Sequence, residues 1–93
     1  MIKKSIDYIV LNYNVFGDYF MKYERIRELR EDRDYTQNFV GNSINVPQRT
    51  YSYYENGQRC IPPEILSKIA DFHDTSVDYL LARTNTKEPY PKK

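Results

Sequence analysis

The sequence predicts an all-α fold: a compact bundle of five short helices with an extra N-terminal segment. Three observations carry this reading. From Met21 onward, apolar residues recur at three- and four-residue spacings in short windows. Between the windows stand residues that stop or start helices, among them Asn45 before Pro47, Asn56-Gly57, Pro62-Pro63 and Thr75. The chain has 93 residues, room for one small domain that buries only about 60–65% of its unfolded surface.

Each element has its own signal. Residues 1–20 are apolar, with Ile2, Ile6, Ile9, Val10, Leu11, Val15, Phe16 and Phe20, but their alternation is poor. A helix over Ile2–Leu11 fits them about as well as a strand. Gly17-Asp18 breaks whatever precedes it. Tyr23–Arg33 is a charged helix with a narrow apolar stripe at Ile26 and Leu29, ended by Asp34-Tyr35. Thr36 is a good N-cap for a second helix from Gln37 to Ile44 that buries Phe39, Val40 and Ile44. Asn45 suits the left-handed turn that follows. Pro47 opens a third helix to Glu55, with Pro47, Tyr51 and Tyr54 on one face and Gln48, Arg49, Ser52, Tyr53 and Asn56 on the other. Pro62-Pro63 opens a fourth to about Phe72, turning Ile65, Leu66, Ile69 and Phe72 inward. Thr75 is expected to cap a short fifth helix, in a capping-box-like pair with Asp78, and Val77, Leu80 and Leu81 face inward. Residues 84–93, with Pro89, Pro91, Lys92 and Lys93, read as a flexible tail.

Composition narrows function. Hydrophobic residues make up 40% and charged residues 29%, as in an ordinary globular domain. The net charge of +1 gives no global field toward nucleic acid or membrane, so any nucleic-acid role must rest on local arrangement. One cysteine, Cys60, allows no internal disulfide, and with one histidine, His73, it makes no structural zinc site. No base–nucleophile pair can be assembled either, so no enzyme, catalytic residue, metal or cofactor is expected. No apolar run reaches the roughly 18–20 residues of a membrane span, and the N-terminus lacks a cleavage signal, which points to a cytoplasmic protein.

The informative arrangement is the pair of short helices Thr36–Ile44 and Pro47–Glu55, joined by a tight turn. A helix entering the major groove must offer hydrogen-bonding groups and carry no acid. From Thr36 to Tyr54 there is no acidic residue and one basic one, Arg49, whereas Glu28, Glu31, Asp32 and Asp34 crowd the segment before. Short polar helices also lack acids by chance.

Met21–Thr84 resembles the helix-turn-helix domain of the Xre family, the phage Cro and C1 repressor type. The resemblance lies in Ile26-Arg27-Glu28-Leu29-Arg30, Thr36-Gln37, Val46 through Gly57, Pro63-Glu64-Ile65-Leu66 and Ser76 through Leu81. These motifs run in order over about two-thirds of the chain, and within the family they are similar to small regulators of low-GC Gram-positive bacteria. The resemblance implies a five-helix Cro/C1-type bundle over residues 21–83 that binds double-stranded DNA, usually as a homodimer on a two-fold operator. By position it implies base contacts from Gln48, Arg49, Thr50 and Tyr53, and phosphate contacts from Gln37, Asn56, Gln58 and Arg59. Gln is suited to adenine and Arg to guanine, each with two hydrogen bonds. It also implies an internal ion pair between Arg30 and Glu55.

Three positions depart from the family pattern. Gly41 stands where Ala is usual and weakens its helix by up to about 1 kcal/mol. Phe39 replaces a residue that often completes the cap of Thr36. Tyr35 replaces a Leu and brings a phenol oxygen to satisfy.

Other residues have plainer readings. His73, beside Asp71 and Asp74, reads as a helix-end cation or a neutral partner. Cys60 reads as an inert thiol. The ten tyrosines read as amphipathic core and surface residues. A competing function is a protein-interaction module or antitoxin-like partner in which DNA binding is secondary or lost. The low net charge and the apolar residues 1–20 favour it.

Overall fold

The computed structural model describes residues 22–92, so the expectations for residues 1–20 lie outside the described residues. The described residues form five helices and no strand: α1 Glu24–Asp32, α2 Gln37–Ser43, α3 Gln48–Glu55, α4 Pro63–Phe72 and α5 Val77–Leu80. α2 packs on α3, α4 on α5, and α1 lies against both α3 and α5. Ile26, Val40, Tyr51, Ile69 and Leu80 are the large side chains fully removed from solvent, one from each helix. Ile44, Val46, Tyr54, Ile61 and Ala70 complete the core. Each helix is too short to persist alone, so its stability comes from this shared interior.

All five helices end the same way. In each, the amide two residues past the C-cap donates back to a carbonyl in the last turn: Tyr35 to Arg30, Val46 to Gly41, Gln58 to Tyr53, Thr75 to Ala70 and Arg83 to Asp78. The amide before it closes a second, shorter loop, the paired pattern of the Schellman motif. The pivot residue must take positive φ, and here it is Asp34 (59°), Asn45 (61°), Gly57 (75°), Asp74 (56°) and Ala82 (62°). Asn45 and Gly57 are legible stop signals. Ala82 is not, because its methyl group disfavours this region.

Three expectations are corrected. Phe39 is 49% exposed rather than buried. Its backbone is tied to the N-terminal turn by the Thr36 cap, and its ring lies beside Tyr35 and Phe72, with centroids 4.8 and 6.1 Å away, on the outside of the bundle. The cap of α5 is Ser76, whose hydroxyl accepts from the Tyr79 amide at 3.0 Å, not Thr75. The left-handed Asp74 shifts the chain by one residue, and Thr75 instead donates its hydroxyl hydrogen to the Lys87 carbonyl. With Ser76 as cap, Asp78 is one position short of a capping box.

His73 is the third. It caps α4 but is 3% exposed, and both ring nitrogens are buried without a hydrogen-bond partner among the described residues. Burial, reinforced by the nearby Arg33 charge and opposed by Glu55, pushes its pKa down to about 4, so it is a neutral core residue and not a helix-end cation.

Residues 84–92 form no regular element. Arg25 reaches them from α1: its guanidinium donates to the Tyr79 and Thr84 carbonyls and to Asn85 Oδ1, and lies 4.2 Å from the centre of the Tyr79 ring. The Tyr90 hydroxyl donates to Asp78 and the Lys92 ammonium to Asp71.

Two tests follow from this geometry. Ala82→Gly stabilises the protein by up to about 1 kcal/mol, because removal of left-handed strain exceeds the added freedom of the unfolded chain. Chemical denaturation measures it, and a destabilised variant would contradict the assignment. His73 stays neutral in the native state but titrates near its ordinary value of about 6.5 once unfolded. Its share of stability is therefore lost as pH falls from about 6.5 toward 4. His73→Phe flattens the stability profile over that window, and parallel profiles for the two proteins would refute a buried neutral imidazole.

Candidate functional site

The turn between α2 and α3 is unusually close. The Val46 amide donates to the Gly41 carbonyl at 2.8 Å. A Cβ on Gly41 would lie 2.8 Å from the Val46 carbonyl oxygen and 3.5 Å from Tyr51 Cβ. Gly41 weakens α2 as a helix former, but its missing side chain admits the backbone of the turn and the start of α3. Pro47 then caps α3 with φ −56° and ψ 146°, and its carbonyl accepts from the Tyr51 amide.

α3 presents two chemically different faces. Inward go Tyr51, Tyr54 and Glu55. Outward go Gln48, Arg49 and, past the helix end, Asn56, all exposed. Thr50, Ser52 and Tyr53 are half-buried along the border. Arg49 and Tyr53 are one turn apart on the same side. Arg49 is exposed and makes no ion pair among the described residues.

The inward face is governed by Glu55, a carboxylate only 2% exposed. Arg30 on α1 donates to it twice, Nε to Oε2 at 2.6 Å and Nη2 to Oε1 at 3.1 Å. The Tyr51 hydroxyl donates to Oε2 at 2.6 Å, and Gln37 Nε2 on α2 donates to Oε1 at 3.2 Å. The third guanidinium nitrogen of Arg30 donates to the Tyr35 carbonyl at 2.9 Å. Burial alone would raise the Glu55 pKa, but the hydrogen bonds from Arg30, Tyr51 and Gln37 outweigh it and hold the carboxyl below its usual value. The Tyr51 phenol is pushed up, first by burial and then by its bond to Glu55.

The sequence-derived candidates therefore fall into three groups. Gln48, Arg49, Thr50 and Tyr53 line the outer side of α3. Asn56, Gln58 and Arg59 are exposed in the loop beyond it, where Asn56 Nδ2 donates to Ser52 Oγ and Gln58 Oε1 at 3.4 Å each. The Arg59 guanidinium lies 5.1 Å from the centre of the Tyr53 ring, which joins the loop to the helix. Gln37 belongs to the inner group through Glu55, and its side chain is half-buried at the edge of the outer surface. Tyr51 escaped sequence reasoning, because on the apolar face of a helix it reads as packing. Its place four residues before Glu55 was the available signal. Among the described residues no group of histidine, cysteine or carboxylate side chains could hold a metal ion. No described helix is long and apolar enough to cross a membrane.

The family model for Helix-turn-helix matches residues 26–80. The chain is 32% identical over 72 residues to the HTH-type transcriptional regulator AnsR of Bacillus subtilis (strain 168), covering 77% of this chain and 62% of that protein. It is 36% identical over 62 residues to the cryptic phage CTXphi transcriptional repressor RstR of Vibrio cholerae, covering 67% and 56%. It is 30% identical over 60 residues to the HTH-type transcriptional regulator ImmR of Bacillus subtilis (strain 168), covering 64% and 47%. The chain thus spans less than two-thirds of the length of each of these relatives. No solved structure matches it.

The Glu55 cluster makes a sharp energetic prediction. Arg30→Ala or Glu55→Ala alone costs about 3–5 kcal/mol, since each leaves a desolvated charge without its partner. The double variant costs less than the sum of the two. A double-mutant cycle on unfolding free energies reads the coupling directly. Additivity within about 0.3 kcal/mol would mean the pair is not a unit.

Proposed function

The chain belongs to the Cro/C1-type (Xre) helix-turn-helix family, and from that membership we propose that it is a transcriptional regulator that binds double-stranded DNA sequence-specifically, with α3 in the major groove. The observation that carries this reading is the outer face of α3: it offers amide, guanidinium and hydroxyl groups, holds no acid, and its one cation, Arg49, is exposed and has no counter-charge among the described residues. The names of AnsR, RstR and ImmR as transcriptional regulators or repressors support it.

In this reading residues 21–83 are the DNA-binding unit, and residues 84–93 a tail. Gln48 and Arg49 enter the groove first and read base edges, Gln by paired hydrogen bonds to adenine and Arg by paired hydrogen bonds to guanine. Thr50 and Tyr53 contact bases at the border of the face. Asn56, Gln58 and Arg59 meet the phosphates on one flank, and Gln37 at the start of α2 meets them on the other. A domain this small covers one half-site, so the binding species is a homodimer on a two-fold operator, with half-sites about 34 Å apart along the duplex. The protein acts in the cytoplasm, without catalysis.

The test is selection of binding sites from a random duplex pool, followed by titration of the selected and a scrambled duplex at several salt concentrations. A selected motif bound at least about 1,000-fold more tightly than the scrambled duplex supports the reading. Equal binding of both, or of neither, overturns it. Arg49→Ala weakens binding to the selected site by about 1–3 kcal/mol and relaxes one base position. If the loss is equal on every sequence, Arg49 touches only phosphate.

A further inference from the structure

Arg59 has no acid within reach among the described residues, and it is exposed in the loop after α3. Its neighbour is aromatic: the guanidinium carbon sits 5.1 Å from the centre of the Tyr53 ring, within the range of a cation–π contact. A guanidinium laid face-on against a ring spends none of its hydrogens on the contact. In that arrangement all five donors stay available.

The two side chains are six residues apart, and the backbone between them is pinned. The Gln58 amide donates to the Tyr53 carbonyl at 2.9 Å, and Gly57 at φ 75° makes the left-handed pivot between them. The loop therefore folds back over the last turn of α3 and delivers Arg59 onto the ring. Tyr53 is itself half-buried, so its ring is a platform backed by the domain.

We propose that Tyr53 is a positioning residue for Arg59: its ring holds the guanidinium at the exit of α3, aimed at a backbone phosphate on the flank of the site. This rests on the duplex-DNA reading above and adds to it a role for Tyr53 beyond any base contact. The role is sequence-independent. An unstacked Arg59 samples many rotamers and gives up that freedom on binding, whereas a stacked one has already lost it.

The tests use the full chain. In the free protein, the δ-methylene protons of Arg59 resonate upfield through the Tyr53 ring current. Tyr53→Leu, which keeps apolar bulk without a π face, removes that shift, and Tyr53→Phe retains it. No upfield shift in the unaltered protein overturns the stacking, whatever the protein binds. On the selected and scrambled duplexes, Arg59→Ala lowers affinity equally and reduces the salt slope by about one unit. On the scrambled duplex, where no base contact contributes, Tyr53→Leu lowers affinity by about two- to fivefold, as expected for an exposed cation–π contact. On that duplex it has no further effect in the Arg59→Ala background. An unchanged affinity of Tyr53→Leu for the scrambled duplex, or a loss there that is additive with Arg59→Ala, overturns the positioning role. Failure of the unaltered protein to bind any duplex, with the ring-current shift intact, instead sinks the DNA reading on which the role depends.

Discussion

The structure turns on one buried carboxylate. Glu55 ends α3, yet it accepts four hydrogen bonds from three helices: two from Arg30 on α1, one from Gln37 on α2 and one from Tyr51 on α3 itself. A buried ion pair is weak evidence for stability, because desolvation can cancel the attraction. Its value here is geometric. A carboxylate accepts hydrogen bonds only from certain directions, so donors fixed on three helices leave little freedom in how α1, α2 and α3 cross. The orientation of the outer face of α3 follows from what its inner end requires. A misplaced α3 would strand a charge in the core, an error far more costly than a loosened apolar contact.

The second constraint is length. α2 has seven residues, α3 eight and α5 four, so a large share of each helix is end. Unpaired carbonyls at those ends would face one another across a small interior. The repeated left-handed termination satisfies them and reverses the chain within two residues. The protein accepts strain for this at Asp34, Asn45, Asp74 and Ala82, none of them glycine. Gly41 shows the same economy in the opposite sense: a poor helix former stands where the backbone of the turn must approach within a distance that no side chain allows.

These two constraints explain what could be read from the chain. The helices were legible because apolar residues recur at helical spacing within each, Ile26 with Leu29, Val40 with Ile44, Tyr51 with Tyr54, Ile65 with Ile69 and Val77 with Leu80, and because Thr36, Pro47, Gly57 and Pro63 mark boundaries. The outer face of α3 was legible because it is a pattern of absence, no acids over nineteen positions. Phe39 was misjudged because hydrophobicity is a rule for averages, and a residue held at the first turn of a short helix goes where the backbone sends it. The cap of α5 was misplaced because Thr75 and Ser76 are equally good caps, and only the left-handed Asp74 decides between them. Arg25 left no trace in local sequence, since it is defined by partners that packing brings near, Tyr79 and Thr84, and the polar role of Tyr51 was masked by its place on the apolar face, with only the four-residue spacing to Glu55 to mark it.

The burial of Glu55 also resolves an apparent difficulty with charge. A net charge of +1 is a poor attractor for a polyanion. Between residues 35 and 63, however, the charged residues are Arg49, Arg59 and Glu55 alone. Glu55 is withdrawn into the core and neutralised there by Arg30, which comes from outside the stretch. What α2, α3 and their loop show to solvent is then two cations and no anion. The acids that balance the total are carried mostly by α1 and by the segments after residue 63, and several are already paired, such as Glu31 with Arg27 and Asp71 with Lys92. At physiological ionic strength charges are screened over about 8 Å, so a surface responds to its own charges more than to the molecular total. The contact that fixes the angle of α3 is thus the same contact that clears negative charge from its outer face.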